Sequence, residues 1–316
     1  MTRAEELIEA QVVAVRPAAR DINIYEFAAT DGRRLPAATP GAHIDLHLAN
    51  GLVRQYSLTR VEPDPSRYAV AVKRDAQSRG GSRFVHDELR PGTRLTISAP
   101  RNNFPLHEQA AETILIAGGI GITPVWCMVQ RLAALGRPWR LHYACRSRGD
   151  AAFHEPLAAL APVRFHFDDE AGALLDVAGI VATASNQAHL YCCGPAPMLA
   201  AFEAATAGWP REQIHVEYFT AKEAPATDGG FVVELRRSGR EIVVAPGQTI
   251  LEAVRAAGVP AASSCEAGIC GTCETPVLGG IPDHRDQWLS EAERAANKSV
   301  MICCAGSKTD RLVLDL

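Results

Sequence analysis

The chain has 316 residues, 47% hydrophobic and 22% charged, with a net charge of −4. That balance is one of packed cores, and the length suits two or three domains. It lacks the basic footprint of a nucleic-acid binder, and no apolar run reaches a membrane span.

The first residues, Met1-Thr-Arg-Ala-Glu-Glu6, carry no apolar signal-peptide core, so a cytoplasmic location is expected. Residues 1 to about 107 read as all-β. Ala42–Leu48 alternates polar and apolar residues, and Leu52–Leu58 and Arg67–Lys73 do so more roughly. Turn signals at Pro40-Gly41, Asn50-Gly51, Pro63–Pro65 and Pro91-Gly92 separate them. Short strands at this spacing predict a closed Greek-key barrel, because closure removes exposed edges. Within it, Arg54-Gln-Tyr-Ser-Leu58, Ala71-Val-Lys73 and Arg79-Gly-Gly-Ser82 have the residue types a flavin needs. A tyrosine ring can lie against the isoalloxazine, a serine can reach N5, and arginine and a helix start can hold phosphate. Taken alone, an exposed Arg54 and a half-buried Tyr56 on an ordinary strand fit as well.

From about Glu112 to Phe219 strands alternate with helices. Strands are expected at Thr113–Ala117, Trp139–Cys145, Val163–Phe167, His189–Cys193 and Ile214–Phe219. Between the first two, Pro124–Leu135 reads as a helix with Val125, Met128, Val129, Leu132 and Leu135 on one face and Gly136 as its stop. The alternation predicts a doubly wound parallel sheet with helices on both faces. Ala117-Gly-Gly-Ile-Gly-Ile-Thr-Pro124 follows the first strand and opens the helix. Gly118, Gly119, Gly121 and Thr123 can cradle a phosphate there, although a plain tight turn explains the glycines too. Tyr191-Cys-Cys-Gly-Pro195 ends the fourth strand. With strand order 3-2-1-4-5, Cys193, Gly194 and Pro195 would face Gly118–Thr123 across the switch point, where ligands bind.

Ala221–Gly230 has the composition of a linker. Beyond it, Phe231–Arg237 and Arg240–Val244 read as a hairpin, Thr249–Ala257 as a helix stopped by Gly258, and Ser290–Glu293 as a capping box. Arg311–Leu316 is a final strand. Nine cysteines are present, and five crowd into Cys265–Cys304. An odd number in a chain without a secretion signal points to a metal or redox centre rather than disulfides. Cys265, Cys270 and Cys273 have C-x4-C-x2-C spacing with Cys303 downstream, the plant-type [2Fe–2S] pattern. Gly268 and Gly271 let the loop turn its N–H groups inward. A zinc site is the alternative, but four-cysteine zinc sites usually pair two C-x2-C hooks and one is present. Cys304 competes with Cys303 as fourth ligand.

These motifs together make the chain resemble the phthalate dioxygenase reductases of the ferredoxin–NADP reductase superfamily, with vanillate demethylase reductases as relatives. The match runs the whole length through RQYSL at Arg54, AVKR at Ala71, RGGS at Arg79, AGGIGITP at Ala117, YCCGP at Tyr191, the cysteine loop, Asp283-His-Arg-Asp286 and the terminal RLVLDL. The resemblance implies a Greek-key flavin barrel (1–107), a doubly wound nicotinamide domain (108–222), a linker (223–230) and an α+β, β-grasp ferredoxin (231–316). It implies FMN rather than FAD, held by Arg54, Tyr56, Ser57, Leu58, Ala71, Val72, Lys73, Gly80, Gly81 and Ser82, with Phe219 on the opposite flavin face. NADH is the donor implied, and Arg146-Ser-Arg148 after the second strand leaves NADPH open. Ser57 and Cys193 are the catalytic candidates. The implied function is a monomeric reductase component that passes electrons to a Rieske-type aromatic oxygenase or demethylase. A reductase for another acceptor and a non-enzymatic redox carrier or sensor are the other readings. His284 and Arg285 read as solvated surface that can help dock a partner.

Overall fold

The computed structural model describes residues 6–76 and 80–316, which fall into two compact units, 1–217 and 218–316. Arg79 of the RGGS motif lies outside the described residues.

The first unit begins with β1 (Leu7–Ala19), β2 (Ile22–Ala29), β3 (His43–His47), β4 (Val53–Ser57) and β5 (Tyr68–Lys73), then α1 (Gly81–Glu88) and β6 (Arg94–Ser98). They form one antiparallel sheet in the order β4-β3-β6-β1-β2-β5. An isolated bridge between Leu58 and Val70 joins its two outer strands, and the Thr59 N–H donates to the Ala69 carbonyl at 2.9 Å. Sequence periodicity finds β3, β4 and β5 but passes over β1, β2 and β6. In β1 the register slips between Val12 and Ala14 and again between Pro17 and Ala19, which breaks the two-residue rhythm.

Next come β7 (Glu112–Gly118), α2 (Ile122–Ala134), β8 (Trp139–Cys145), α3 (His154–Ala158), β9 (Val163–Phe167), α4 (Asp168–Ala171), α5 (Val177–Ala182), β10 (Ala188–Cys193), α6 (Ala196–Ala205) and β11 (Ile214–Glu217). The sheet is parallel, in the order β11-β10-β7-β8-β9, which in chain terms is the expected 3-2-1-4-5. Leu115, Ala117, Leu141, Tyr143, Tyr191 and Cys193 share a core with Val125, Met128, Val129 and Leu132 of α2. Each such α2 side chain contributes about 1.5–3 kcal/mol by leaving water, which far outweighs the weak intrinsic stability of a short helix. The alternate residues Ile114, Ile116, Leu190 and Cys192 face the other way and are equally buried. On that side α6 packs on β10, with Leu199 and Phe202 buried. The two sheets of this unit also meet: Ile22 and Ala71 join the α2 core, the Gln130 amide donates to the Thr59 carbonyl at 2.9 Å, and the Arg20 N–H donates to the Gly149 carbonyl at 2.8 Å.

The second unit holds β12 (Phe231–Leu235), β13 (Arg240–Val244), α7 (Ile250–Ala256), β14 (Glu274–Gly279), β15 (Pro282–Asp283), α8 (Glu291–Ala296), β16 (Ser299–Met301), β17 (Gly306–Ser307) and β18 (Arg311–Leu314). Its main sheet runs β13-β12-β18-β14-β16, with β12 and β18 parallel. Thr249 and Glu252 form a capping box at α7, as Ser290 and Glu293 do at α8, so each helix start has two of its orphan N–H groups satisfied. Among the described residues no helix is long and apolar enough to cross a membrane.

Candidate functional site

Three groups of residues stand out, two in the first unit and one in the second, and each is set by local backbone chemistry. In the first sheet, β4 carries Arg54, Tyr56 and Ser57, and the Leu58–Val70 bridge sets these beside Ala71, Val72 and Lys73 of β5. Ser57, Leu58, Ala71 and Val72 are buried and Lys73 is exposed. Gly80 enters α1 in the left-handed region (φ 91°), and no side chain caps the helix. Gly81 is needed for space: a Cβ there would stand 2.6 Å from Cγ and 2.7 Å from Nε of Arg54. The arginine therefore lies across the first turn of α1, where uncapped N–H groups attract an anion. Ser82 Oγ is turned to accept the Asp75 N–H at 3.2 Å. Burial holds the Tyr56 phenol above its ordinary range, with Arg54 opposing the shift, so the ring stays neutral. The Arg54 group fits a phosphate, and the Tyr56 group fits a flat aromatic system.

The second group forms at the carboxyl ends of β7 and β10. A Cβ on Gly118 would meet Pro195 Cδ at 2.5 Å, one on Gly121 would meet the Cys193 carbonyl oxygen at 2.2 Å, and one on Gly194 would meet Met198 Sδ at 2.7 Å. The two loops thus pack backbone to backbone, and the glycines are there because no side chain fits between them. Gly119 differs: it has φ 54° with open space around it, so its requirement is conformational. Thr123 Oγ1 donates to the Ile120 carbonyl at 3.0 Å and the Tyr143 hydroxyl to the Gly119 carbonyl at 3.1 Å, fixing the loop. This is the crevice expected at the switch point.

Cys193 has a partner that the motifs do not mark. Parallel pairing sets it opposite Glu217 at the end of β11, and its thiol donates to Oε2 at 4.0 Å. Burial, with the Glu217 charge and Cys192 adding to it, pushes the Cys193 thiol far up, so it is protonated rather than a thiolate nucleophile. Glu217 is half-buried as a residue, yet its carboxyl lies at the inner end, and burial raises it to about 8. Aligning the ends of the two strands, Tyr191-Cys-Cys193 against His215-Val-Glu217, is the signal that could have found it. Phe219 falls in the second unit, 42% exposed. Arg148 is engaged: its guanidinium pairs with both Glu170 oxygens, at 2.5 and 2.9 Å, and lies over the Phe167 ring.

The third group is the cysteine loop. Glu266, Gly268 and Gly271 all have positive φ (50°, 68° and 75°), so the chain recoils at each step between the cysteines. The Ala267 and Ile269 N–H groups turn towards Cys265 Sγ, at 3.4 and 3.5 Å. Among the described residues no three His, Cys, Asp or Glu side chains converge as on a single ion. The thiols instead meet in pairs. Cys265 is hydrogen-bonded to Cys270, which draws Cys270 down to about 6, and Cys273 is hydrogen-bonded to Cys303, which is likewise drawn down. In each pair one thiol is drawn towards thiolate and its partner, Cys265 or Cys273, is held protonated by the shared hydrogen bond, and two such pairs suit two irons better than one zinc. Cys304 also touches Cys303, but its thiol is aimed at the Met301 carbonyl at 3.7 Å, and it wedges against Gly268. His284 is not surface: its side chain is 8% exposed, beside the fully buried Asp286. Arg285 is more open and paired with Asp283 and Glu223.

Comparison with known proteins follows the same division. A family model for the 2Fe-2S iron-sulfur cluster binding domain matches residues 233–307. The chain is 51% identical over 310 residues to phenoxybenzoate dioxygenase subunit beta of Ectopseudomonas oleovorans, covering 98% of this chain and 97% of that one. It is 48% identical over 324 residues to tetrachlorobenzoquinone reductase of Sphingobium chlorophenolicum, covering 100% of each. Among solved structures, phthalate dioxygenase reductase, described as a modular structure for electron transfer from pyridine nucleotides to [2Fe–2S], matches at 36% identity and a TM-score of 0.79, covering 98% of both chains.

Proposed function

The chain belongs to the family of oxygenase reductase components that includes phthalate dioxygenase reductase, and from that premise we propose how its own residues serve the electron path. It is an NAD(P)H-dependent flavin and iron–sulfur oxidoreductase that supplies electrons to an oxygenase component. When bound, the flavin accepts a two-electron hydride and the [2Fe–2S] cluster carries single electrons, so a pyridine nucleotide can feed a one-electron acceptor.

The first sheet, read as a closed Greek-key barrel on the strength of its Leu58–Val70 bridge, binds FMN. Arg54 and the N–H groups of Gly80, Gly81 and Ser82 hold the terminal phosphate. Tyr56 would offer its ring to one flavin face, Ser57 would supply a hydrogen bond to N5, and Leu58, Ala71, Val72 and Lys73 would line the ring. For Phe219 the proposal rests on resemblance alone. Gly118, Gly119, Gly121 and Thr123 admit the nucleotide pyrophosphate, while Cys193, Gly194 and Pro195 bound the nicotinamide. Glu217 orients the protonated Cys193 thiol, which excludes water and leaves a hydride no competing nucleophile. Arg148, already paired with Glu170, favours NADH over a 2′-phosphorylated donor. Cys265, Cys270, Cys273 and Cys303 would hold the cluster, the first two one iron and the last two the other. The three-domain division, the monomeric state, the cytoplasmic location and a Rieske-type partner complete the reading.

The observation that carries it is the recoiled cysteine loop, with positive φ at Glu266, Gly268 and Gly271 and the Ala267 and Ile269 N–H groups turned to Cys265 Sγ. Purified protein should contain FMN, iron and acid-labile sulfide, and NADH should bleach the flavin before a reduced-cluster EPR signal grows. Zinc without sulfide would end it. A second reading, direct reduction of a quinone, is favoured by the identity to the tetrachlorobenzoquinone reductase. NADH-dependent quinone turnover without any partner protein would select it.

A further inference from the structure

The segment that follows β15 closes over the cysteine loop at two points. A Cβ on Gly268 would stand 2.9 Å from Asp286 Cα, and one on Gly271 would stand 2.4, 2.6 and 2.8 Å from three carbons of the Trp288 ring. Three ring atoms at nearly equal distance mean that the indole lies with its face on Gly271. Between these contacts the Gln287 N–H donates to the Gly268 carbonyl at 2.8 Å. The two covered glycines flank Cys270, so the segment spans the tightest part of the loop.

The segment is itself braced. Asp286, with its side chain fully buried, accepts the N–H groups of Trp288 and Leu289 at 3.1 and 2.8 Å, which bends the chain so that Trp288 turns back onto the loop. Arg294 of α8 donates to the Asp286 carbonyl and lies 3.8 Å from its carboxylate. A buried carboxylate keeps such a turn only while paired and hydrogen-bonded. Trp288 is 39% exposed, a large apolar side chain left partly in water. Its position is explained by what its inner face covers.

We propose that Asp286–Trp288 is a clamp on the iron–sulfur loop, with Trp288 the positioning residue that holds Gly271 and its neighbours Cys270 and Cys273 in place and shields them from water. Asp286 and Arg294 set the angle at which the indole meets the loop. Removing the ring leaves the loop free to open on the Cys270–Cys273 side. Phenylalanine retains a flat apolar face and preserves most of the function.

The inference rests on the cluster being held by these cysteines, and iron and sulfide content of the wild-type protein tests that separately. On holoprotein with normal iron and sulfide, cluster release to an excess of a strong iron chelator is followed by visible absorbance, alongside the EPR line shape of the reduced protein. Trp288→Ala should release the cluster about ten times faster or more, the factor that corresponds to about 1.4 kcal/mol, and should broaden the signal, with Trp288→Phe close to wild type. Gly271→Ala collides with the indole and also strains a backbone at φ 75°, so it should release the cluster at least as fast as Trp288→Ala. Flavin absorbance unchanged in all variants reports an intact first unit. Wild-type release and line shape in Trp288→Ala, or equal losses in Trp288→Phe and Trp288→Ala, would overturn the clamp.

Discussion

Replacing Gly121 by alanine isolates one contact between the two glycine-bearing loops at the ends of β7 and β10. Gly121 has φ −61° and ψ −7°, ordinary helical values, so alanine brings no backbone penalty there. Its methyl, however, would sit 2.2 Å from the Cys193 carbonyl oxygen, 0.8 Å inside the 3.0 Å that real Cβ atoms respect. Cys193 is fully buried in a strand paired on both sides, so the glycine loop must do the moving. Overpacking of this size costs about 1–3 kcal/mol, or roughly 5- to 150-fold in an equilibrium or rate constant. The cost should fall on nucleotide binding and hydride transfer, because the displaced loop is the one proposed to cradle the pyrophosphate. Stopped-flow bleaching of the flavin over a range of NADH concentrations reads both the affinity and the limiting rate, while iron and sulfide content reports the untouched second unit. Gly119→Ala is the control: it has open space but a left-handed φ, and should lose about 1–2 kcal/mol of local stability with no collision. Wild-type NADH affinity and rate in Gly121→Ala would refute the argument that these loops need backbone contact.

Other expectations are simpler. Cys303→Ser should abolish or cripple cluster assembly, while Cys304→Ser, whose thiol faces the Met301 carbonyl, should keep normal iron and sulfide; the reverse pattern would move the fourth ligand. Ser57→Ala should slow flavin reduction about 10- to 100-fold with the cluster intact, and unchanged single-turnover bleaching would remove its role. Glu217 titrates at about 8 when folded and near 4.5 when unfolded, so the folded state binds the extra proton between those values. Stability of the first unit should therefore fall as pH rises through that window, by up to about 1.4 kcal/mol per pH unit, and level off above it. Denaturant titrations of Glu217→Gln should lack that slope; an identical slope in the variant would place the titration elsewhere.

Much of this architecture is legible in residue patterns, and the misses have physical causes. Pro124–Leu135 reads correctly as a helix because its apolar spacing, proline and following glycine agree. The order of the parallel strands brings Gly118–Thr123 to Cys193–Pro195 as expected, since crossover handedness leaves few alternatives. β1 escapes notice because two register slips and Pro17 erase its alternation. Glu217 escapes because its meaning lies in a register, and a lone acidic residue in a strand carries no local mark. His284 reads as surface because its neighbours Asp283 and Arg285 are charged; burial is decided by the packing of Asp286 against Gly268, a contact between distant parts of the chain.

The strand order of the second unit bears on how it is made. β18, which follows every other element, lies between β12 and β14, so the sheet has a gap at its middle until that strand arrives. The Arg237 and Ser238 N–H groups then close on the Leu316 carbonyl, and Arg237 grips Asp315 with both ends of its guanidinium. All the cysteines precede β18, so the scaffold around them is unfinished until that strand pairs with both neighbours. A chain cut before Arg311 should therefore fail to retain iron and sulfide.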